Sequence, residues 1–385
     1  MEIVNGAGFP VEVATSIDKH GREHLLVVAK VSYRFGLDGA LERLTEVDCP
    51  GIADEDELLG EPGLSAPLYE ADLAPSKRRC DVILDATAHA PPGKEVRELD
   101  VSVRVGAMTK HLRVIGDRRW RRGVTGAGAS SPEPFSRMRI EYGRAFGGRG
   151  ATRDGADDAY PQNPVGSGWC SSARAPEVDG MRLPNIELPA ETLTSPSQRV
   201  RPGGLGPLGR HWHPRLALAG TYDAAWRSDR FPLLPTDFDE AYFQCAPADQ
   251  QIDFPAGGEH VVLHHLTEGR PLVQFELPRT GLSVKVLTHD RRATEIAAVV
   301  DTVFIRPDDR LLSLVYRASA PLDRRGLVSL RVVATGPVCK KWWRAVAFGT
   351  SDCGCKGMGE EDGAEDGDTG ASEVSPEPLP GGDGA

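Results

Sequence analysis

Residues 25–35 of the chain read LLVVAKVSYRF, a long run rich in β-branched and aromatic residues. Such a composition is typical of a β-strand. Residues 11–17 (VEVATSI) alternate between apolar and polar side chains, and a turn sequence, LDG, follows the long run at 37–39. The beginning of the chain therefore predicts consecutive β-strands joined by short connections.

The same signals recur along the chain. Residues 99–105 (LDVSVRV) alternate strictly, and a turn at 106–108 leads into 110–115 (KHLRVI), which predicts a β-hairpin. Further strand candidates lie at residues 81–89, 138–142, 261–266, 272–277, 282–287, 299–305, 311–316 and 328–333. Their short spacing is typical of an antiparallel sandwich, and the scarcity of long helical patterns argues against alternating βαβ units.

Two short helices are expected between the strand groups. Residues 236–239 (TDFD) fit a capping box, and Phe238 and Tyr242 have the spacing of neighbours on a helix. Residues 222–227 have the pattern of one or two further helical turns. We therefore expect an all-β fold: an antiparallel β-sandwich or paired sandwiches, with few short helices and long irregular Gly/Pro-rich loops.

The segment 143–235 combines an unusual number of glycines and prolines with aromatic side chains. It contains Trp169, Trp212 and Trp226, three of the six tryptophans in the chain. Disordered segments are poor in aromatic residues, so we infer ordered loops held to the core by aromatic anchors. Long ordered loops are usually functional, although anchors that only hold the loops in place would give the same pattern.

Charge and composition exclude several classes of protein. The 385 residues include 45 Lys and Arg against 56 Asp and Glu, a net charge of −11, which disfavours a globally basic nucleic-acid binder. No apolar run approaches the length of a membrane span, and the first residues, MEIVNGAGFP, do not resemble a signal peptide. Seven scattered cysteines do not suggest a disulfide framework. We expect a cytoplasmic protein that binds neither nucleic acid nor membrane.

The negative charge is concentrated at the C-terminal end of the chain. Residues 351–385 contain ten acidic residues and one basic residue, Lys356, and they lack aromatic side chains. Such a segment buries too little apolar surface to offset its ordering entropy, so the sequence predicts a disordered acidic tail. It would serve either to solvate the protein or to dock a basic partner.

The expected organisation follows from these shifts in composition. We expect a β-rich part at 1–142, a loop region with short helices at 143–259 and a second β-rich part at 260–350. Residues 1–350 would form one unit, followed by the tail.

Signatures of catalysis, nucleotide binding and metal binding are weak. Residues 204–209 (GLGPLG) match GxGxxG, but neither a clear strand before them nor a helix after them accompanies the match, as a nucleotide site requires. The histidine pairs at 211 and 213 and at 264 and 265 lack a carboxylate or cysteine at fixed spacing. A CxC at 353–355 could bind a soft metal or act in redox chemistry together with Cys339. We expect no cofactor and no metal, and the role of these cysteines stays open.

A basic run lies next to a tryptophan at residues 117–122 (DRRWRR). Asp117 followed by two arginines is most often a structural ion pair, but the additional charge of Arg121 and Arg122 would suit an acidic partner.

Several short motifs, in order along the chain, carry a family resemblance. They are GDRRW at 116–120, MRIEYGRAFGG at 138–148, NPVGSG at 163–168, LPNIE at 183–187, GP at 206–207, Trp212 with PR at 214–215, AGTYD at 219–223 with Trp226, PTDFD at 235–239, AP at 246–247 with DQ at 249–250, and GGE at 257–259. The series resembles family 2169 of the domains of unknown function, over roughly residues 3–350.

The resemblance implies an accessory factor of bacterial type VI secretion. Such proteins are regarded as cytoplasmic adaptors or chaperones that load an effector, or its PAAR-like spike tip, onto a VgrG-type spike. No catalytic residue can be carried over, so the expected function is non-enzymatic binding. The alternatives are a structural subunit of the contractile injection apparatus, and a hydrolase-like enzyme or effector with an unrecognised site. The cognate effector, the oligomeric state and the binding surface stay open.

The candidate partner-binding residues lie in these motifs and loops. They are Asp117, Arg118, Trp120, Arg144, Phe146, Gly147, Gly148, Asn163, Pro164, Gly166, Asn185, Trp212, Tyr222, Asp223 and Trp226. Glycine permits close approach of another chain, and arginine and aromatic residues are the usual anchors of interfaces. In the competing structural interpretation, Phe146 packs inward, Arg144 pairs with a carboxylate and Asn163 closes a turn.

The composition of the tail predicts that it is dispensable for folding. Truncation of the chain after Thr350 removes charge but no aromatic side chain, so the midpoint of thermal unfolding should stay the same. A fall of more than about 4 °C, on the order of 1 kcal/mol or more, would show that the tail is part of the folded unit.

Overall fold

A computed structural model of the chain describes residues 1–124, 126–151, 157–171 and 178–349, so the predicted tail and the CxC lie outside the described residues. The strands are β1 (Glu2–Asn5), β2 (Val11–Ile17), β3 (Glu23–Phe35), β4 (Leu41–Arg43), β5 (Glu57–Leu58), β6 (Pro67–Tyr69), β7 (Cys80–Leu84), β8 (Ala86–His89), β9 (Glu98–Val105), β10 (Met108–Ile115), β11 (Trp120–Gly123), β12 (Gly126–Ala129), β13 (Arg137–Ile140), β14 (Phe146–Gly147), β15 (Arg149–Ala151), β16 (Asp157–Ala159), β17 (Ser167–Gly168), β18 (Ile186–Glu187), β19 (Gln251–Ile252), β20 (His260–His264), β21 (Leu272–Glu276), β22 (Ser283–Thr288), β23 (Ala293–Ala297), β24 (Val299–Arg306), β25 (Leu311–Pro321) and β26 (Leu330–Thr335). The α-helices Ala224–Asp229 and Lys340–Phe348 and five short 3₁₀ turns, Tyr142–Arg144, Arg215–Leu218, Glu240–Phe243, Ala248–Gln250 and Gly326–Ser329, complete these elements.

The expected all-β fold is confirmed, and every strand predicted from the sequence has a counterpart in the structure. In the predicted hairpin, β9 and β10 are antiparallel, with Glu98 opposite Ile115 at the open end and Val105 opposite Met108 at the turn. The predicted strand at 81–89 is divided at Asp85, because β7 and β8 belong to different sheets. Asp85 forms an ion pair with Arg139 at 2.7 Å at this break.

β3 lies inside a seven-stranded sheet with the order β19-β7-β24-β25-β3-β2, and β4 also pairs with β3. β3 pairs with β25 in antiparallel register, with Arg34 opposite Leu311 at one end and His24 opposite Pro321 at the other. The N-terminal and C-terminal strand groups are therefore partners within one sheet. Alternate side chains of β3, such as Val27 and Val31, enter the main core, and the side chains between them, such as Val28, enter a small cluster on the opposite face. Burial on both faces explains the near-continuous apolar run.

Two further sheets share the main core. The five-stranded sheet has the order β18-β10-β9-β20-β21 and is antiparallel throughout. The four-stranded sheet has the order β1-β26-β22-β23. Side chains from all three large sheets, including Val103, Val284 and Leu314, belong to one hydrophobic cluster.

Two features of these sheets differ from the sequence-based expectation. β7 pairs with β24, and β1 with β26, in parallel, although the strand spacing suggested only antiparallel neighbours. Parallel partners need long connections, which a local pattern does not reveal. The short strand β1 and the helix Lys340–Phe348 were also not predicted, and Val4 and Trp342 pack together in a separate small cluster.

The two short helices predicted from the sequence differ in their outcome. The helix at 222–227 is present as Ala224–Asp229, and Asp223 caps it by accepting a hydrogen bond from Trp226 N at 2.8 Å. The capping box at 236–239 is wrong, because the 3₁₀ turn starts later, at Glu240–Phe243, with Asp239 as its cap. Asp237 instead accepts hydrogen bonds from Thr221.

The outer face of the seven-stranded sheet carries buried charges that bind the loops covering it. Lys30 of β3 forms an ion pair with Asp72 at 2.5 Å, and Lys77 forms one with Asp81 of β7 at 2.8 Å. Arg317 of β25 pairs with the fully buried Asp301 of β24. Both Asp72 and Lys77 belong to the loop between β6 and β7, so each ion pair with them fastens that loop to the sheet.

Asp81 is the most highly bonded of these groups. In addition to Lys77 it accepts hydrogen bonds from Gln244 Nε2 at 2.8 Å, Cys245 N at 3.0 Å and Ala246 N at 3.2 Å. Burial lowers the pKa of Lys77, but the charge of Asp81 outweighs burial and the pKa is raised overall. The lysine therefore stays charged, and one carboxylate holds two separate loops on the sheet.

Replacement of Asp81 by asparagine should destabilise the protein strongly. The variant Asp81→Asn leaves Lys77 charged, buried and unpaired, so we expect a loss of about 3–5 kcal/mol in chemical denaturation. The control is Asp253→Asn, because Asp253 pairs with Arg79 at 3.2 Å but its side chain is 96% exposed. The control should cost less than about 1 kcal/mol. Equal losses in the two variants would contradict this account of the sheet.

Candidate functional site

An open cleft of about 350 Å³ lies beside one end of the five-stranded sheet. We call it the arginine cleft, since five arginines line it: Arg118, Arg119, Arg121, Arg144 and Arg182. The other polar residues of its lining are Asp117, Glu133, Glu141, Ser130, Ser167 and Asn185. Four of the candidate residues from the sequence, Asp117, Arg118, Arg144 and Asn185, therefore lie together in one cleft.

The end of β10 and the short strands near it build the walls of the cleft. The chain leaves β10 at Ile115 and reaches β11 through the GDRR sequence, and β18 pairs with β10 just after Asn185. Arg119 and Arg182 face each other in an isolated antiparallel bridge. Side chains alternate along an extended strand, so Arg121 lies on the same face as Arg119, and Trp120 lies on the opposite one.

A small hydrophobic core supports the cleft from below. It is separate from the main core and consists of Trp120, Phe146, Trp169, Val178, Leu183, Leu193 and Val200. Most of these residues come from the Gly/Pro-rich segment, so the aromatic side chains do anchor the loops. Phe146 contacts Tyr160 edge to face at 5.0 Å between ring centroids. The cleft is thus a preformed surface on a packed base.

Arg118 connects the cleft to the sheet. Its guanidinium group pairs with Glu187 of β18 and donates to Pro184 O at 3.2 Å. Burial raises the pKa of Glu187, and the charge of Arg118 opposes this rise only in part. The Glu187 carboxylate does not line the cleft, so it neutralises Arg118 from behind and fixes its position.

Asn185 joins three segments of the wall by hydrogen bonds. Its Nδ2 donates to Ile115 O and to Asp117 Oδ1, both at 2.9 Å, and its Oδ1 accepts from Arg144 Nη1 at 3.4 Å. Arg144 also lies 3.7 Å from Glu141. These hydrogen bonds connect the segments of the wall, and Arg144 contacts both Asn185 and Glu141.

Three guanidinium groups of the cleft have no carboxylate partner in the described part of the chain. Arg119 donates to Gly180 O at 2.7 Å, which leaves its charge uncompensated. Arg121 and Arg182 are exposed and form no side-chain hydrogen bond or ion pair to a described residue. Two acids of the lining, Asp117 and Glu133, likewise form no ion pair with a described residue, so three unpaired arginines stand against two unpaired carboxylates. Positive charge is therefore in excess, and the cleft is suited to binding an anion.

Several other candidate residues are buried and shape the cleft from within. Trp120 and Phe146 are 0% and 1% exposed, so they pack in the small core and do not face solvent. Gly147 and Gly148 have positive φ, and a Cβ on them would lie 2.1 Å from Asn163 O and 2.6 Å from Gly166 O. These glycines permit close approach of the chain to itself.

Asn163 connects its own loop to the stretch at 142–148, which passes close to it. The side chain is fully buried, and its Nδ2 donates to Tyr142 O at 2.8 Å and to Phe146 O at 3.1 Å. Pro164 and Gly166 lie in the same loop and are half-buried. The interpretation in which Phe146 packs inward and Asn163 closes a turn therefore agrees with the positions of these two residues.

The remaining candidates do not line the cleft. Trp212 is buried in the main core, where it meets Tyr142 edge to face at 5.5 Å. Tyr222 and Phe231 pack against Trp226 at 4.7 and 5.8 Å and are themselves half or more exposed. Asp223 caps the short helix Ala224–Asp229, which lies between Tyr222 and Phe231 in the chain. This aromatic cluster is a second exposed feature on a separate part of the surface.

The structure gives packing or capping roles to residues of the weaker sequence motifs. A Cβ on Gly204 would lie 2.6 Å from the Tyr142 ring, and one on Gly209 would lie 2.6 Å from Trp212 Nε1, so packing requires the first and last glycines of the GxGxxG match to be small. Cys339 caps the helix Lys340–Phe348 by accepting from Trp342 N at 3.5 Å. Within the described residues, no group of three or more His, Cys, Asp or Glu side chains is placed to hold a metal ion.

Sequence reasoning missed part of the cleft. Arg119 and Arg121 belong to the basic run at 117–122 and Ser167 to the NPVGSG motif, but Arg182 and Ser130 gave no signal of their own. Arg182 directly precedes the LPNIE motif, and only the bridge with Arg119 brings it to the cleft.

Fold and site together define an all-β protein with an open, arginine-lined cleft. The sequence profile of DUF2169, described as an uncharacterized protein family conserved in bacteria, matches residues 20–317. This match covers more than half of the chain, which therefore belongs to the DUF2169 family. No curated protein and no solved structure matches the chain. Among the described residues, no helix is both long and apolar enough to cross a membrane.

The different environments of Phe146 and Arg144 predict different effects on stability. Phe146→Ala opens a cavity in the small core and should cost about 3–5 kcal/mol. Arg144→Ala removes a side chain that is 40% exposed, so its cost should stay below about 1 kcal/mol. Chemical denaturation of both variants measures the contrast. A small loss for Phe146→Ala would show that the loop is not part of the folded base.

Proposed function

We propose that this protein is a non-enzymatic adaptor or chaperone of bacterial type VI secretion. It binds an effector, or the PAAR-like tip of the spike, in the cytoplasm and helps to load it onto a VgrG-type spike. The observation that carries the proposal is the arginine cleft: an open surface with uncompensated positive charge, built on a packed base. The resemblance of the ordered motifs supplies the secretion context.

The rigidity of the cleft supports a binding role. A surface that is ordered before its partner arrives loses little conformational entropy on association. Asn185 joins the walls and the small core supports them, so the fold positions the backbone from which the exposed arginines project. Arginine is among the residues that most often dominate the free energy of binding at interfaces.

Charge in the cleft also suits the task of loading. Complementary charges accelerate encounter and exclude wrong partners, and they contribute less to the lifetime of the complex than buried apolar contacts do. An adaptor must release its cargo to the spike, so a binding surface dominated by exposed charge fits a transient complex that needs no nucleotide.

The proposal is tested by co-purification from the native host. Tagged wild-type protein should retain an effector or a PAAR-like or VgrG-type protein, identified by mass spectrometry. The double variant Arg121→Ala with Arg182→Ala should retain at least about tenfold less, because two unpaired charges are removed from the cleft. Neither side chain forms a hydrogen bond or ion pair with a described residue, so the free energy of unfolding should not change.

The matched control is the double variant Arg122→Ala with Arg270→Ala. Both arginines are exposed and lie outside the lining of the cleft, and the change in net charge is the same. The control should retain wild-type amounts of partner. Retention of the tagged protein in purified sheathed particles would instead favour a structural subunit. Absence of any secretion component from the wild-type eluate would refute the proposal.

A further inference from the structure

We propose that the arginine cleft binds an extended acidic peptide segment in which two Asp or Glu residues stand at alternate positions. This inference rests on the proposed function, since the segment would belong to the partner. It names the chemistry by which the cleft recognises that partner, namely carboxylates spaced along a β-like strand.

The arrangement of the arginines carries the inference. Arg119 and Arg121 are two positions apart on an extended stretch, so their side chains leave the same face about 7 Å apart along the strand. Arg182 stands opposite Arg119 across the antiparallel bridge. None of the three has a carboxylate partner in the described part of the chain. The backbone positions of these arginines therefore have the repeat of a β-strand.

An extended peptide has the same repeat. Side chains at positions i and i+2 of a strand lie on one face, about 7 Å apart, so an acid-x-acid sequence matches Arg119 and Arg121 one to one. Adjacent acidic residues point to opposite faces and cannot both reach the arginines. Arginine binds carboxylates through a planar pair of donors, which favours this class of ligand.

The acidic part of the lining argues against a compact dianion. Asp117, Glu133 and Glu141 also line the cleft and repel any anion. A phosphate brings two charges to one point among them, whereas the peptide brings a single charge to each arginine. Separate carboxylates can each approach an arginine while the peptide backbone stays over the opening. Ser167, whose hydroxyl forms no hydrogen bond to a described residue, adds a polar group in the same lining.

The test compares heptapeptides that carry an uncharged BODIPY dye at the N-terminus and an amidated C-terminus, by fluorescence anisotropy at low ionic strength. The peptides are GAEAEAG, its isomer GAEEAAG with the same charge, and the uncharged GAQAQAG. The protein is full length, with the ten acidic residues of 351–385 replaced by the corresponding amides. This change is needed because the tail itself contains acid-x-acid sequences, such as Asp366-Gly367-Asp368, that would compete.

We expect GAEAEAG to bind at least about threefold more tightly than GAEEAAG, and GAQAQAG to show no binding. The Arg121→Ala, Arg182→Ala double variant should lose about tenfold in affinity, while the Arg122→Ala, Arg270→Ala double variant stays within about twofold. Raising the salt concentration to about 0.5 M should abolish binding, since the charges are exposed.

Three results would overturn the inference: no binding of GAEAEAG, equal affinity for the two isomers, or equal losses in the two double variants. Displacement of the peptide by inorganic phosphate at equal concentration would show a general anion site and would overturn it as well. Co-purification of the secretion partner is a separate measurement. Partner retention without peptide binding refutes this inference alone, and peptide binding without any secretion partner refutes the proposed function.

Discussion

Buried ion pairs on the outer face of the seven-stranded sheet are the interaction on which the rest of the structure depends. A sheet whose outer face carries buried charges among apolar side chains can be covered only by segments that bring matching charges. The loop carrying Asp72 and Lys77 does so, and Gln244 and Cys245 bring a second loop to the Asp81 carboxylate. Removal of one partner leaves the other charge buried and unpaired, so these contacts select a single arrangement of the loops.

The same logic operates on a smaller scale at the arginine cleft. Glu187 neutralises Arg118 from within the fold, and Asn185 satisfies the backbone and side chains that meet at the wall. Groups that the fold needs are thus paired internally, whereas Arg121 and Arg182 are left free at the surface of the described protein. The contrast between paired and unpaired arginines separates the supporting part of the cleft from the part available to a partner.

The sequence predicts the strands well and the site only in part. Alternation and apolar runs identify β2, β3, β9 and β10, because the burial of one or both faces of a strand determines the pattern of its own residues. The break at Asp85 and the parallel pairing of β1 with β26 depend on distant segments, so no local pattern reveals them. Among the candidate site residues, Phe146 and Asn163 turned out to be buried, since an aromatic or amide side chain in a glycine-rich loop looks the same whether it anchors the loop or faces outward. Arg182 reaches the cleft through a bridge between distant residues.

The pairing of β3 with β25 also sets the order in which the protein can be assembled on the ribosome. β3 ends at Phe35, but its neighbour on one side extends to Pro321, so the longest strand lacks that neighbour until most of the chain has been synthesised. Contacts so distant in sequence form slowly, and unpaired apolar strands are prone to associate with other chains. A nascent chain of this protein therefore carries the apolar stretch LLVVAK without its β25 partner through most of its synthesis.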